Sequence, residues 1–453
     1  MMNTPVCDFC RSYAQSDALR LHMPGHKGVP LTGFEPLDLT EIDGADSLFE
    51  ADGILRESEE NASSLFGAHT FYSTEGSSLC IRAMLQLVCQ YARSKGTRPR
   101  ILAGRNAHKT FLSAAALLDF DLQWLYPEGE ASYLSCPVDA DHLERLLTES
   151  APPTAVYITS PDYLGNVADL AALAEVCHRH GVLLLVDNAH GAYLKFLQPS
   201  RHPMDLGADL CCDSAHKTLP AVTGGAYLHI ARRAPDFFVK QAKNALALFA
   251  STSPSYLILQ SLDAVNGYLS AGYPARLAAF LSHVQALKAR LRAEGFSLLG
   301  DEPLKLTLEA RPYGYLGTEL AALLTQQGLY CEFCDRDYLV LMVTPETTAD
   351  GLGRLADCLL AIPRKPALPD LTPAFCRCER VLSPREAMLA ACETLPVEQC
   401  VGRILASPSV GCPPAVPVVI CGERISPQAL DAFSYYGISS CTVVMEQHEE
   451  QAV

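Results

Sequence analysis

Val182-Leu183-Leu184-Leu185-Val186 runs directly into Asp187-Asn188-Ala189-His190. Five apolar residues without alternation are what a strand buried on both faces looks like. The polar residues that follow stand where such a strand leaves the core. Upstream, Asp169 to His180 predicts a helix stopped by Gly181, and Thr154 to Thr159 predicts a strand ended by Ser160-Pro161. Downstream, a strand around Ala208 to Cys212 ends in Asp213-Ser214-Ala215-His216-Lys217. Further out, Ser78 to Lys95 reads as a helix, with Leu79, Ala83, Leu87 and Val88 at helical spacing and Gly96 closing it. Arg100 to Ala103 then reads as a strand. From about residue 70 to 230 this alternation predicts βα units feeding a mostly parallel sheet, an α/β fold. In such sheets ligands bind outside the carboxyl ends of the strands.

Two side chains at those ends carry the chemistry. Lys217 lies just past a buried strand, flanked by Ser214, His216 and Thr218. Desolvation there lowers an amine's pKa and makes it a nucleophile towards an aldehyde; a lysine snorkelling to the rim is the alternative. Asp187 ends the neighbouring strand, where an unpaired carboxylate is costly unless it meets a cation. A protonated pyridine nitrogen is such a cation, and a lysine Schiff base with an aspartate on the pyridinium marks pyridoxal-phosphate (PLP) sites. Thr74-Glu75-Gly76-Ser77-Ser78 opens a helix, so its N–H groups and hydroxyls suit a phosphate. Taken alone, a serine there is more often an ordinary N-cap.

Composition narrows the partners. The 453 residues are 49% hydrophobic and 19% charged, enough for a large buried core. With 35 Lys and Arg against 51 Asp and Glu, the formal charge is -16, and no basic run could track a phosphate backbone. Nucleic-acid binding is not expected, whereas an acidic field favours cationic small molecules. Met1 to Cys10 has no signal-peptide pattern, and no apolar run approaches the roughly 20 residues that span a bilayer. No membrane association and a cytoplasmic location are therefore expected. The 18 cysteines, Cys80, Cys89, Cys177, Cys211 and Cys212 among them, read as reduced thiols. The pairs Cys7/Cys10 and Cys331/Cys334 are over 300 residues apart, and no metal site is expected from them.

The residues also carry a resemblance. Leu21-His22-Met23-Pro24-Gly25-His26-Lys27, Asp38-Leu39-Thr40-Glu41 and Gly44-Ala45-Asp46-Ser47-Leu48 resemble the N-terminal signature of the bacterial ornithine/lysine/arginine decarboxylases of PLP fold type I. In order there follow Ala107-His108-Lys109-Thr110, Val186-Asp187-Asn188-Ala189-His190-Gly191, Ser214-Ala215-His216-Lys217-Thr218-Leu219-Pro220, Ser251-Thr252-Ser253-Pro254-Ser255-Tyr256 and Leu382-Ser383-Pro384-Arg385-Glu386-Ala387. The likeness spans nearly the whole chain and is closest to the shorter branch, without an N-terminal receiver-like domain.

The resemblance implies an aspartate-aminotransferase-like α/β fold and decarboxylation of arginine, lysine or ornithine to a polyamine-type amine. Lys217 would carry PLP, Asp187 pair with the pyridinium, His108 stack on the ring and Ala189 underlie it. Gly76, Ser77, Ser78, Ser214 and His216 would hold or border the phosphate, with His190 beside them. Lys217 or His216 would reprotonate Cα. Ser251 and Thr252 resemble a segment that reaches a neighbouring subunit's phosphate, so a homodimer is the smallest unit expected. Glu332, with Asp46 and Asp162 as weaker candidates, would receive the substrate's distal cation. The expected layout is an N-terminal arm (1–30), a large PLP-binding domain (31–295), a small α/β domain (296–365) and an α+β C-terminal domain (370–453). Pro363, Pro366, Pro369 and Pro373 lie between the last two, and strands are suggested at Leu304 to Leu308 and Tyr338 to Val343. A helical stretch, Pro384 to Cys392, and a strand, Val416 to Ile420, are expected in the last.

Two departures stand out. Glu75 occupies a position where the family commonly has asparagine, which sets a carboxylate near a dianion unless it points away. Cys412-Pro413-Pro414-Ala415-Val416-Pro417 and Cys421-Gly422-Glu423 match the family's C-terminal pattern imperfectly. Two rival readings stay open: another fold-type-I reaction such as transamination or elimination, with Arg311 or Arg336 clamping the substrate carboxylate, and a non-catalytic paralogue.

Overall fold

The computed structural model describes residues 2–126, 133, 135–410 and 416–446. The chain enters through α1 (Pro5–Gln15) and α2 (Ile54–Phe66). It then alternates: β1 (His69–Ser73), α3 (Gly76–Ser94), β2 (Arg100–Gly104), α4 (Lys109–Leu118), β3 (Asp121–Leu125), α5 (Ala140–Glu149) and β4 (Ala155–Thr159). There follow α6 (Leu170–Arg179), β5 (Leu183–Asp187), α7 (Pro203–Leu206), β6 (Leu210–Asp213), α8 (Ala215–Thr218) and β7 (Ala226–Ile230). The strands form one sheet in the order β1-β7-β6-β5-β4-β2-β3. Pairings from β3 through β6 are parallel, and β7 alone runs against its neighbours β6 and β1.

The strand read first sits at the centre of this sheet, between β4 and β6, which is why both its faces are apolar. Asp187 is its last residue, in register with Thr159 and Cys212. The turn that follows requires a glycine: a Cβ at Gly191 would collide with the Asn188 amide and Leu194. On one face α3 packs through Leu79, Met84, Leu87 and Val88, each at most 1% exposed. Burying side chains of that size contributes about 1.5–3 kcal/mol apiece. Gly96 ends the helical stretch with φ +72°, a conformation open to glycine without strain.

The expected helical stretch 235–295 is α9 (Asp236–Ala247), α10 (Tyr256–Ser270) and α11 (Tyr273–Ala293). A second sheet follows, from β8 (Ser297–Leu299), β9 (Lys305–Glu309), β10 (Phe333–Cys334) and β11 (Tyr338–Met342), with α12 (Gly317–Gln326) and α13 (Thr348–Leu360). It is antiparallel throughout, in the order β10-β11-β9-β8.

The C-terminal region holds α14 (Pro384–Leu389), β12 (Cys392–Pro396), β13 (Ser409–Val410), β14 (Val419–Ile420), α15 (Ala429–Tyr435) and β15 (Ser440–Val444). Two expectations are corrected here. The helix ends at Leu389, three residues before Cys392, because Cys392 to Pro396 pairs as a strand with β15. The strand expected from Val416 begins only at Val419, since Pro417 has no N–H to donate to a ladder. Cys412 to Ala415 of the C-terminal motif lie outside the described residues. Glu423 of the second motif forms a buried ion pair with Arg105 at 2.9 Å, tying this region to the loop after β2. Among the described residues, no helix is long and apolar enough to cross a membrane, and every cysteine is a free thiol.

Candidate active site

At the carboxyl ends of β4 and β5 the structure opens a cavity of about 390 Å³. Its walls come from four places. The first turn of α3 brings Gly76, Ser77 and Ser78; the start of α4 brings His108; the end of β5 brings Asp187, Ala189 and His190; and the turn into α8 brings Ser214, His216 and Lys217. Every residue expected around the cofactor except Ser251 and Thr252 lines this one space.

Lys217 sits in the single-turn helix α8, and its Nζ lies 3.0 Å from His190 Nε2. Burial pushes the amine's pKa down, and Asp187 opposes that shift. Asp187 is 3% exposed. Its Oδ2 accepts from Tyr157 Oη at 3.1 Å and its Oδ1 from Ala189 N at 3.2 Å, with the Cys212 thiol at 3.6 Å. These are weak, neutral donors. Among the described residues no cation stands within 4 Å of it.

The start of α3 is uncapped in an informative way. Ser73 Oγ accepts from Glu75 N and donates to the Gly76 carbonyl, so it does not reach the N–H groups of the first turn. The exposed Glu75 occupies the N-cap position but its carboxylate accepts from Ser251 N at 2.7 Å. The N–H groups of Ser77 and Ser78, which have no partners inside a helix, are left at the cavity. Glu75 therefore turns outward, and its carboxylate is held by another segment. Ser214 Oγ donates to Ser77 Oγ at 2.8 Å, joining the two walls.

His108 caps α4. Its Nδ1 accepts from Thr110 N at 3.3 Å, which leaves its proton on Nε2, and partial desolvation at the cavity wall holds its pKa down although the residue is exposed. His216 Nδ1 lies 3.0 Å from the Gly225 carbonyl, which can only accept, so that nitrogen carries a proton.

Other expected residues lie elsewhere or are already engaged. Asp46 does not reach the cavity: its carboxylate accepts from the backbone N–H groups of Ser47, Asp52, Gly53 and Leu55, capping α2. Asp162 lines the cavity, yet both its oxygens accept from Asn166. Glu332 is exposed and accepts from Tyr163 Oη at 3.0 Å, and Tyr163 itself lines the cavity. Ser251 and Thr252 are exposed and outside their own chain's cavity. Arg311 bonds Asp337, the Pro369 carbonyl and Tyr435, and Arg336 bonds the Tyr435 carbonyl, so both bind the four-stranded sheet to the C-terminal region.

The sequence reading missed Tyr157, Tyr163 and Lys305. Tyr157 stands on β4 in register with Leu185 of β5 and reaches Asp187, a pairing visible only once the strands are aligned. It also missed a fully buried group at the end of β6, His202, Cys211, Asp213 and His229. Its hydrogen bonds close on themselves. Both imidazoles place Nε2 within 3.1 Å of Asp213 Oδ2, and Met204 N donates to His202 Nδ1, which puts the His202 proton on the side facing Asp213. A metal-binding imidazole instead donates from its outer nitrogen. Of the Cys-x-x-Cys pairs, Cys7 donates to the Gln260 carbonyl, and burial pushes Cys7 and Cys10 up to about 12, where they stay protonated.

Comparison with known proteins places this geometry. The family model for the Orn/Lys/Arg decarboxylase major domain matches residues 4–295, and the one for the C-terminal domain of that family matches residues 377–441. The arginine decarboxylase of Bacillus subtilis is 27% identical over 93% of this chain and 91% of its own length. The arginine decarboxylase of Halalkalibacterium halodurans is 28% identical, with shares of 93% and 91%. The lysine decarboxylase LdcF of Francisella novicida superposes with a TM-score of 0.78 over 98% of this chain and 81% of that one, at 16% identity. With a mostly parallel seven-stranded sheet, a lysine and an aspartate at adjacent strand ends, and both family models matched in order, the chain belongs to the Orn/Lys/Arg decarboxylase family of PLP-dependent enzymes of fold type I.

Proposed function

We propose that this cavity binds pyridoxal 5′-phosphate at Lys217 and that the chain decarboxylates arginine. The reading rests above all on one observation: a buried carboxylate with no cation beside it among the described residues, and a half-buried lysine whose amine has a depressed pKa, open onto the same cavity. The donor set fits the cofactor. Asp187 offers a charge that a protonated ring nitrogen would neutralise, and the uncapped start of α3, with Ser77, Ser78 and Ser214, offers donors to a phosphate dianion. When bound, the cofactor supplies an electron sink for the pair released as the Cα–carboxylate bond breaks.

The chain's own residues do the rest. Asp187 holds the proton at the ring nitrogen, and Tyr157 and Ala189 N orient that carboxylate. His108, neutral and fixed by Thr110, lines the cavity where it would stack on the cofactor ring. Each turnover takes up one proton at Cα as CO₂ leaves, and Lys217 or His216 delivers it. Glu332, near the mouth beside Tyr163, receives the substrate's distal cation. Ser251, whose N–H donates to Glu75, and the exposed Thr252 beside it face a second copy of the chain, so the working unit is a homodimer. Arginine is placed first because the two arginine decarboxylases described above align over nine-tenths of their length. The engagement of Arg311 and Arg336 elsewhere speaks against a transaminase-type carboxylate clamp.

The test is mass spectrometry of the amines formed when PLP-loaded protein meets equimolar arginine, lysine and ornithine, with Lys217→Ala alongside. Agmatine formed only by the intact lysine is the expected result. Cadaverine or putrescine in its place would reassign the substrate, and a keto acid without any amine would overturn the decarboxylase reading.

A further inference from the structure

Lys305 opens β9 in the four-stranded sheet and is 2% exposed, yet no acid stands within ion-pairing distance of its amine among the described residues. Its Nζ lies 3.1 Å from the Asp162 carbonyl, 3.1 Å from the Tyr163 carbonyl and 3.4 Å from His190 Nδ1. The other nitrogen of that imidazole, Nε2, is the one 3.0 Å from Lys217 Nζ. We propose that Lys305 is the proton partner of Lys217, reached through His190. The inference rests on the reading of Lys217 given above.

The atoms allow two arrangements with the same number of protons, which differ in which lysine carries the charge. Carbonyl oxygens only accept, so two of Lys305's N–H groups are committed. In the first arrangement Lys305 is an ammonium whose third N–H donates to His190 Nδ1, while His190 donates from Nε2 to a neutral Lys217 amine. In the second, Lys305 is a neutral amine accepting from Nδ1–H, and Nε2 accepts from a Lys217 ammonium. Passing from one to the other, a proton leaves Lys305 Nζ for Nδ1 as the Nε2 proton moves to Lys217 Nζ. The imidazole changes tautomer and keeps its charge.

Two features suit this path to the reaction. Decarboxylation consumes a proton at Cα, so an amine that gives one must be recharged; Lys305, at 2% exposure, holds one in reserve, and the same path run in reverse from the half-buried Lys217 restores it from solvent between turnovers. Burial keeps the proton loosely held. Burial pushes Lys305 down, with Lys217 adding to that and Glu302, Asp162 and Glu332 opposing it. Burial also pushes His190 well below its ordinary value, helped by Lys305, Lys217, His108 and His216.

The test follows pyridoxal phosphate capture by the apoprotein, read by absorbance across pH, alongside kcat, for wild type, Lys305→Met, Lys305→Arg and His190→Gln. Circular dichroism and thermal melting check that each variant is folded. Loss of the buried cation in Lys305→Met should raise the pH of half-maximal capture by about one unit. Lys305→Arg keeps the charge but cannot release a proton, so its capture midpoint should stay near wild type while kcat falls about tenfold or more. His190→Gln should lose kcat to the same extent, and the double variant no further. Unchanged capture and kcat in the folded Lys305 variants, or losses that add in the double variant, would overturn the relay. If Lys305→Met does not fold, the Lys305→Arg and His190→Gln cycle still decides. A wild type in which borohydride fixes no cofactor to Lys217 would instead refute the underlying reading of that lysine.

Discussion

Asp187 and Asp213 end adjacent strands of one sheet, both in the core, and meet opposite fates. Asp213 is closed in by its own chain: two imidazole N–H groups donate to Oδ2 and the Asn188 amide to Oδ1 at 2.6 Å. Burial pushes its pKa up, but the two histidines outweigh that and hold it well below the usual carboxylate range. Asp187 receives one tyrosine hydroxyl, one backbone N–H and a distant thiol, and otherwise faces the cavity. A carboxylate whose hydrogen bonds close on themselves stabilises the fold, whereas one left short of a cation is poised to receive a ligand. Burial alone does not separate the two; the partner list does.

The contrast can be broken experimentally. Asp187→Asn should leave the fold intact and lower kcat by roughly 10²–10³-fold, since a charge set against the ring nitrogen is lost; an Asp187→Asn enzyme near wild-type activity would erase the distinction. Asp213→Asn should do the reverse, costing about 3 kcal/mol in denaturant unfolding by leaving buried donors unmatched, while folded protein still captures pyridoxal phosphate. The acid limb sharpens this. A depressed carboxylate pKa contributes stability that is fully present above the unfolded value of about 4 and is lost as pH falls towards the folded value. The stability gap between wild type and Asp213→Asn should therefore be constant from neutrality to about pH 4 and close below it, measured by urea titration at stepped pH. The smallest effect is expected at Glu75, whose carboxylate is exposed and turned to Ser251 N: Glu75→Gln should change retention of pyridoxal phosphate less than about threefold. A much larger change in either direction would mean that this carboxylate acts on the phosphate itself.

How far the site was legible depended on the kind of signal each residue left. Asp187 and Lys217 were readable because each follows an apolar run, and the end of a strand is a place where ligands gather. Lys305 was hidden by the same logic. In Leu304-Lys305-Leu306-Thr307-Leu308 the polar residues alternate with leucines, the pattern of a strand with one wet face, yet Lys305 and Thr307 are both buried. Thr307 donates to the Leu164 carbonyl and Lys305 to those of Asp162 and Tyr163, so that face packs on the turn after β4 and not on water. Asp46 differs in the opposite sense: an acidic residue inside a family-like motif has its carboxylate engaged by backbone N–H groups at the start of α2, Gly53 and Leu55 among them.

The sequence by itself determined the alternation of strands and helices, the burial of β5 on both faces and the two residues, Asp187 and Lys217, that open onto the candidate cavity. These follow from local hydrophobic periodicity and from where an apolar run stops. Only the tertiary structure decided which acids are free, which are spent as caps or turn anchors, and that a lysine from the second sheet touches the histidine beside Lys217. The caps and turn anchors are local, within ten residues of Asp46 and four of Asp162, but they need the folded backbone to be seen, whereas the contact between Lys305 and His190 joins segments more than 100 residues apart. No local pattern encodes them, because the same side chain reads alike in sequence whether its partner is water, a backbone amide or another chain element.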